Sequence, residues 1–484
     1  MAEPQSVQGY IDQTPSWPDG TPTPTVPMTR MQWRIWLLAT AGKFFEGLVV
    51  FMTGVALPLI VQEFGLSPVQ KGLVGAATLA GIMVGAVTLG GLADTYGRRR
   101  MFVVEMLVFV VFLAGLAASP SFGWLVFFLF GVGVALGCDY PTGHLVISES
   151  IPSRDRGRLV LGAFAFQAVG ALVGTALGYA ILVSDPQLSA WRWMYAVVIA
   201  PATLVVIARL FISDSGQWLM SKGRRREAER ELQRLLEREP QYPKQVRLAE
   251  DPGASRLDGA AGGRWRDLLS KKNRRATILA SVPWFLQDLG TYGIGIFTPT
   301  ILARTVGHEA DRLRNTASVI AHDIQAAKGA ALIDTLLIVG IVAAVLLADK
   351  VGRIRLQILG FVGCAVGLAL AMLQDRLPEP AGTLCLFGGF MLFNFMTNLG
   401  PNAQTYLLAG EVFPTAIRGR GAGFAAAFAK LGAVLTAFVF PLVLDETGTH
   451  FLLLGLIFTS LLGAAVTWWF RIETTGVNLE EIGR

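Results

Sequence analysis

The stretches ESIPSRDRG (149–157) and EVFPTAIRG (411–419) decide how this chain is read. Both spell Glu-x-x-Pro-x-x-x-Arg-Gly, and each follows a long apolar run. A second pair behaves the same way. GGLADTYGRRR (90–100) and ADKVGR (348–353) share an aspartate, a glycine three later and an arginine four later: Asp94, Gly97, Arg98 and Asp349, Gly352, Arg353. Asp349 follows Asp94 by 255 residues, and Glu411 follows Glu149 by 262, so the second half of the chain repeats the first. Two different motifs recurring at matching places among apolar runs mark an internally duplicated membrane protein.

Composition agrees. Of 484 residues, 53% are hydrophobic and 16% charged, and mean hydropathy is +0.52. A soluble domain sits near about 45–50% apolar and about 25% charged. Runs long enough to cross a bilayer, roughly 20 residues each, lie near 33–61, 70–92, 101–118, 122–149, 158–183, 193–212, 276–303, 330–348, 355–374, 382–410, 421–444 and 450–471. The fold expected is an all-α membrane protein, with twelve transmembrane helices in two pseudo-symmetric six-helix bundles. Residues 1–32 read as a disordered tail, 33–212 as the first bundle, 213–275 as a central loop with short amphipathic helices, 276–471 as the second bundle and 472–484 as a second tail. No short apolar region with a cleavage site precedes the first span, so the Pro- and Thr-rich start does not read as a signal peptide. Cys138, Cys364 and Cys385 all fall inside apolar runs, which argues against a disulfide framework or a zinc site.

The net charge of +6 is a topology signal. Arg98, Arg99 and Arg100 follow span 2, Arg154, Arg156 and Arg158 follow span 4, and Arg418 and Arg420 follow span 10. The segment 213–275 holds 16 Lys/Arg against 10 Asp/Glu, whereas 62–69 and 445–449 hold no Lys or Arg. By the positive-inside rule both termini and the central loop face the cytoplasm of a multi-pass plasma-membrane protein, the inner membrane in a bacterium. Nucleic acid is not an expected partner. Gly90 and Gly91 at a span end permit close helix approach. The acids and arginines of the motifs (Asp94, Arg98, Glu149, Arg156, Asp349, Arg353, Glu411, Arg418) are expected to pair and hold the cytoplasmic ends of the halves together; the plainer reading is that they only orient the spans. In 224–239, Leu232, Leu235 and Leu236 form an apolar strip amid alternating Arg and Glu, a surface helix lying over the helix ends.

Charges within spans are costly, so they usually face a polar cavity and serve transport. Those read here are Lys43 and Glu46 in span 1, Asp139 in span 4, Asp288 in span 7 and Lys430 in span 11. Tyr140, His144 and Gln167 join them as neutral polar groups. Trp284, Asp288 and Tyr292 stand at i, i+4 and i+8 on one helix stripe, as do Asn394, Asn398, Asn402 and Tyr406. An asparagine stripe cannot face lipid; it faces either another helix or a wet path. Asp288 reads either as a proton carrier or as a structural partner of Lys430. His144 reads either as a proton relay or as a helix-to-helix contact. The segment 304–329, with His308 and His322, reads as a solvated loop.

GGLADTYGRRR and EVFPTAIRGR resemble motifs of the major facilitator superfamily, and the resemblance runs from Trp33 to Glu481. QWLMSKGRRREAERELQRLL (217–236) resembles the cytoplasmic stretch of its sugar-porter-like families, with Asp-Ser-Gly-Gln-Trp in place of the usual Glu-Ser-Pro-Arg-Trp. GCDYP (137–141), WFLQDLGTYG (284–293) and GPN (400–402) are similar to the proton-coupled phosphate symporters. That likeness implies a substrate site of Tyr140, Gln167, Trp284, Asp288, Tyr292, Asn402 and Lys430, with Asp139 on the proton path. FFEGLVV departs from the family by keeping one acid, Glu46, with Val49 where a second would stand.

The function expected is therefore proton-coupled symport of a small anion, phosphate foremost, by alternating access in a monomer without cofactor. Glu46, Asp139 and Asp288 would carry the coupling. A sugar or small organic acid symporter, or a sensor that does not transport, are the alternatives. No nucleophile-and-base cluster or metal spacing suggests an enzyme, and no GxxxxGK[ST] loop suggests an ATP-driven pump.

Overall fold

In lipid a backbone can satisfy its polar groups only by helix or closed barrel, and these apolar runs all become helices. A computed structural model of the chain describes residues 5–15, 21–22, 26–88, 92–237, 246–248, 265–306, 316–414 and 417–475. Gly91 and His308 lie outside these, as do the side chains of Asp94, Tyr140, Asp349 and Arg418. The first half holds α1 (Arg30–Phe64), α2 (Pro68–Thr88), α3 (Arg98–Ala117), α4 (Phe122–Ser150), α5 (Arg156–Ser184) and α6 (Ala190–Arg209). The second holds α7 (Arg274–Val306), α8 (Thr316–Val351), α9 (Arg353–Ala371) and α10 (Ala381–Glu411), which breaks at Gly400. A last helical run, Arg418–Phe470, turns at Gly448 (φ 79°) into α11 (418–447) and α12 (449–470). These are the twelve spans in two six-helix bundles. The expected loop 304–329 is largely helix, because α8 begins at Thr316 and carries His322.

The two bundles pack alike. α1 lies on α5 as α7 lies on α11, α2 on α4 as α8 on α10, and α3 on α4 and α6 as α9 on α10 and α12. Between bundles, α2 meets α11, α5 meets α8 and α1 meets α7, contacts that a two-fold exchange of the halves maps onto one another. Side chains exposed on the outside are large and apolar (Val111, Leu204, Phe458), as a lipid-facing surface requires.

Both ends of the chain and the central segment share one face, here the linker face. At the opposite, far face the bundles touch backbone to backbone. A Cβ on Gly54 of α1 would stand 2.2 Å from the carbonyl oxygen of Ile296 on α7, and one on Gly72 of α2 would stand 2.4 Å from that of Phe438 on α11. Small residues are what permit such approach between helices in lipid. Lys71 and Asp445 add an ion pair at 3.6 Å.

The repeated motifs form equivalent corners. Gly97 precedes α3 with φ 106° and Gly352 precedes α9 with φ 98°, backbone that only glycine adopts readily. Each glycine turns the chain so that the next residue, Arg98 or Arg353, reaches the glutamate ending the neighbouring helix. Arg98 Nη2 is 3.0 Å from Glu149 Oε1, and Arg353 Nε is 3.4 Å from Glu411 Oε2. Both pairs close within a bundle, α3 to α4 and α9 to α10. For these two pairs the expectation that they join the halves is corrected: an arginine beginning one helix reaches the helix beside it and not across the bundle interface. Arg156 pairs with neither glutamate and instead donates to the Ser153 hydroxyl at 3.4 Å.

On the linker face, Arg225–Leu235 forms the expected surface helix, with Leu232, Leu235 and Leu236 buried. Thr29, the N-cap of α1, donates to the Leu235 carbonyl at 2.6 Å and so ties that helix to the bundle. Part of the tail expected to be disordered is ordered. Val7–Asp12 is a short helix whose Val7, Tyr10 and Ile11 pack against Trp218, Leu232 and Leu248.

The side chains of Arg98 and Glu149 are 9% and 11% exposed. Taking one charge from such a pair costs about 3–5 kcal/mol, while replacing both by apolar groups is often neutral. Glu149→Leu is therefore expected to lower the thermal unfolding midpoint in detergent, and adding Arg98→Met to recover most of the loss. Equal midpoints for the single and double variants would show that the pair does not brace the α3–α4 corner.

Candidate functional site

Six buried or half-buried side chains from four helices converge between the bundles. Lys43 and Glu46 stand one turn apart on α1, so they share a face, with Lys43 Nζ 2.5 Å from Glu46 Oε2. Asp288 and Tyr292 stand one turn apart on α7. Lys430 of α11 reaches all three remaining partners: it donates to the Tyr292 hydroxyl at 2.6 Å and lies 3.3 Å from Asp288 Oδ2 and 3.7 Å from Glu46 Oε1. The Tyr292 hydroxyl donates to Glu46 Oε1 at 3.2 Å. Gln167 of α5 donates to that same carboxylate oxygen at 3.2 Å and to the Tyr292 hydroxyl at 3.0 Å.

The network holds two ammonium groups and two carboxylates, one carboxylate from each bundle. Isolated buried ions cost several kcal/mol each, so mutual pairing is the condition for keeping them here. Lys430 is the hub: it touches a carboxylate of its own bundle and one of the other. Protonating either carboxylate would remove one counter-charge from Lys430 and leave room for another anion beside it.

Trp284 and Asn402 are not in this network. Trp284 is buried beside Tyr406, edge to face at 6.2 Å. Asn402 donates to Asn398 at 2.6 Å, Asn398 to the Leu337 carbonyl at 2.8 Å, and Asn394 to Asp334 at 3.1 Å. The asparagine stripe thus faces α8, and of the two readings open to it, helix packing holds for Asn394 and Asn398.

Tyr406, at the linker end of that stripe, crosses between bundles. Its ring stacks on Phe164 of α5 at 4.6 Å, and its hydroxyl lies 3.3 Å from Nδ1 of His144 on α4. Phe164 is one turn from Gln167 toward the linker face. The His144 ring is exposed although it lies inside α4. Of its two readings, His144 takes the helix-to-helix contact.

Asp139 stands apart from the central network. Its Oδ1 is 2.6 Å from Nη1 of Arg209, a fully buried guanidinium on α6 that also lies 3.5 Å from Glu105 Oε1 on α3. Arg209 further donates to the carbonyls of Phe102 at 2.6 Å and Leu38 at 3.0 Å. Arg209, Glu105 and Asp334 were absent from the charges read within the spans, though all three fall inside apolar runs and the same cost argument applies to them. Asp334 accepts from Thr175 of α5 at 2.8 Å across the bundle interface.

Residues 35–484 match the model of the sugar (and other) transporter family. The inner membrane metabolite transport protein YgcS of Escherichia coli is 29% identical over 95% of both chains. The niacin transporter NiaP of Acinetobacter baylyi is 26% identical, covering 95% of this chain and 98% of its own. The glucose transporter GlcP of Staphylococcus epidermidis is 24% identical, over 94% and 97%. Among solved structures, a partially occluded inward-open form of the Escherichia coli xylose transporter XylE superposes with a TM-score of 0.73, at 21% identity, over 93% of this chain and all of that one. These matches are to transporters of sugars and other metabolites, not enzymes, and they lend no support to the expected likeness to phosphate symporters. The chain belongs to the sugar (and other) transporter family of the major facilitator superfamily.

Proposed function

We propose that the protein couples the entry of a proton to that of a small organic acid, with the linker face cytoplasmic. The observation that carries this reading is the position of the Lys430 ammonium between Asp288 of its own bundle and Glu46 of the other. An ionised Asp288 occupies the cation that a carboxylate substrate needs. Once Asp288 is protonated, Lys430 can take the substrate anion in its place, and the charge of the site is unchanged. Proton and substrate then favour the same state, which is the differential interaction symport requires. Loss of the proton toward the cytoplasm restores the Asp288–Lys430 pair and expels the substrate. Backbone-to-backbone packing at the far face, against side-chain contacts of Tyr406 with Phe164 and His144 at the other end, supports release toward the linker face.

A neutral sugar is the second reading. It is favoured by the uncharged donors Gln167 and Tyr292 at the centre, and by relatives named for glucose and xylose transport. Phosphate has no such support and is set aside.

Proteoliposomes loaded at neutral pH and offered labelled nicotinate, glucose or phosphate, with and without an acidic exterior, distinguish the readings. The expected result is nicotinate accumulation raised by the acid gradient, with glucose and phosphate near background. Lys430→Met removes charge-assisted contacts worth roughly 1.5–3 kcal/mol, so carboxylate uptake should fall roughly 10- to 100-fold at limiting substrate. Gradient-driven glucose uptake that survives Lys430→Met would replace the organic acid by a sugar.

Asp288→Asn separates coupling from binding. It mimics the protonated acid, so counterflow of substrate between equal pools should persist while accumulation against a gradient is lost and uptake no longer rises as external pH falls. A variant that still concentrates substrate on an acid gradient would remove Asp288 from the coupling step.

A further inference from the structure

A cavity lies far from the central network, at the linker end of the second bundle. It measures about 600 Å³ and is lined by Arg275, Lys350, Arg355 and Arg471, with Trp468 and Ile358 as apolar wall. Four cations face one carboxylate there, that of Glu473. Burial opposes the charge of Glu473, but hydrogen bonds from the Thr475 hydroxyl and from backbone N–H groups of Thr475, Ile354 and Arg353 outweigh it and hold its carboxyl below the usual range. That carboxylate is therefore spent on the start of α9. Some basic residues of this face have acid partners: Arg98 with Glu149, Arg353 with Glu411, Arg225 with Glu229. Among the described residues, none of these four cations has an acid partner: Arg275 donates to the carbonyls of Phe470 and Arg471, and Arg471 to that of Trp468. Topology explains why lysine and arginine lie on this face; it does not explain why four of them converge on one hollow around an indole.

The surface above the hollow is apolar and open to lipid. On α9, Leu359, Val362 and Val366 continue the face of Arg355 away from the linker side, and all three are exposed. On α12, Leu461 and Phe458 continue the face of Trp468, also exposed. α9 and α12 pack together, so a cationic pocket at the membrane boundary opens onto a hydrocarbon-compatible groove. We propose that this pocket binds the phosphate headgroup of an anionic phospholipid, with an acyl chain lying along α9 and α12. Lys350 and Arg355 supply the unpaired charge, Arg275 and Arg471 add to the field, and the Trp468 ring sits at headgroup depth, where indoles collect. A soluble phosphate compound would use the same cations but gain nothing from the groove.

Native mass spectrometry of the full chain in detergent tests this, with dioleoyl phosphatidylglycerol and dioleoyl phosphatidylcholine as ligands. The expected result is one tightly held phosphatidylglycerol and no equivalent phosphatidylcholine. Lys350→Gln with Arg355→Gln should weaken it about 30-fold, the loss set by two interfacial cations. Arg226→Gln with Arg230→Gln, an equal charge change on the exposed linker helix, should leave it unchanged. Equal retention of the two lipids, or equal loss in both double variants, would overturn the proposal. Displacement of the lipid by millimolar inorganic phosphate would make this a site for a soluble anion and overturn it too. A readout that keeps all four cations is fluorescence with chain-brominated phosphatidylglycerol at low lipid ratio: it should quench a component of emission that Trp468→Phe removes, and an unchanged quenched component in that variant would count against the site.

Discussion

The sharing of one ammonium by two carboxylates from opposite bundles is the constraint on which the rest depends. Lys430 cannot be buried without Asp288 and Glu46, and Glu46 in turn is held by Lys43, Gln167 and Tyr292. Charge neutrality at the centre thus requires both halves of the molecule. A change of protonation at one carboxylate alters what the bundles hold in common, which is how a local charge event can bias a rearrangement between two packed bodies. Gly54 and Gly72 seat the far face by shape, beside the Lys71–Asp445 ion pair, and Tyr406 bridges the linker side through its ring on Phe164 and its hydroxyl beside His144.

Duplication organises the remainder. Each half builds its own corner from a glycine with positive φ, an arginine and a glutamate, and each corner closes inside its bundle. Bundles braced internally can move as bodies, leaving the interface to the helix pairs α2–α11, α5–α8 and α1–α7. The first bundle carries a further brace, Arg209 held by Asp139, Glu105 and two carbonyls. Asp139 thus links α4 to α6 through Arg209, which also reaches α3, and it stands apart from the central network.

Much of the central site was legible beforehand. Glu46, Gln167, Asp288, Tyr292 and Lys430 stood out because polar groups inside apolar runs are costly, and five of them meet. Trp284 shares a helix stripe with Asp288 and Tyr292, and Asn402 shares one with Asn394, Asn398 and Tyr406, yet neither joins the network. A stripe says which side chains point the same way, and says nothing of what they point at. Asn394 and Asn398 illustrate this, since α8 rather than water takes up their amides. Arg209 was missed although the same cost rule flags it, because it sits at the last turn of its span, where arginine ordinarily marks the membrane boundary.

By itself the sequence determined the twelve spans, the internal repeat, the corner motifs and the short set of buried charges. Hydropathy, periodicity and motif spacing are local properties, written in runs of about twenty residues. Only the tertiary structure decided which acid meets which base, that the corner pairs stay within a bundle, and that four linker-face cations surround one hollow. Those choices depend on the approach of helices that are distant in the sequence, and a period of 3.6 gives the direction of a side chain without naming its neighbour.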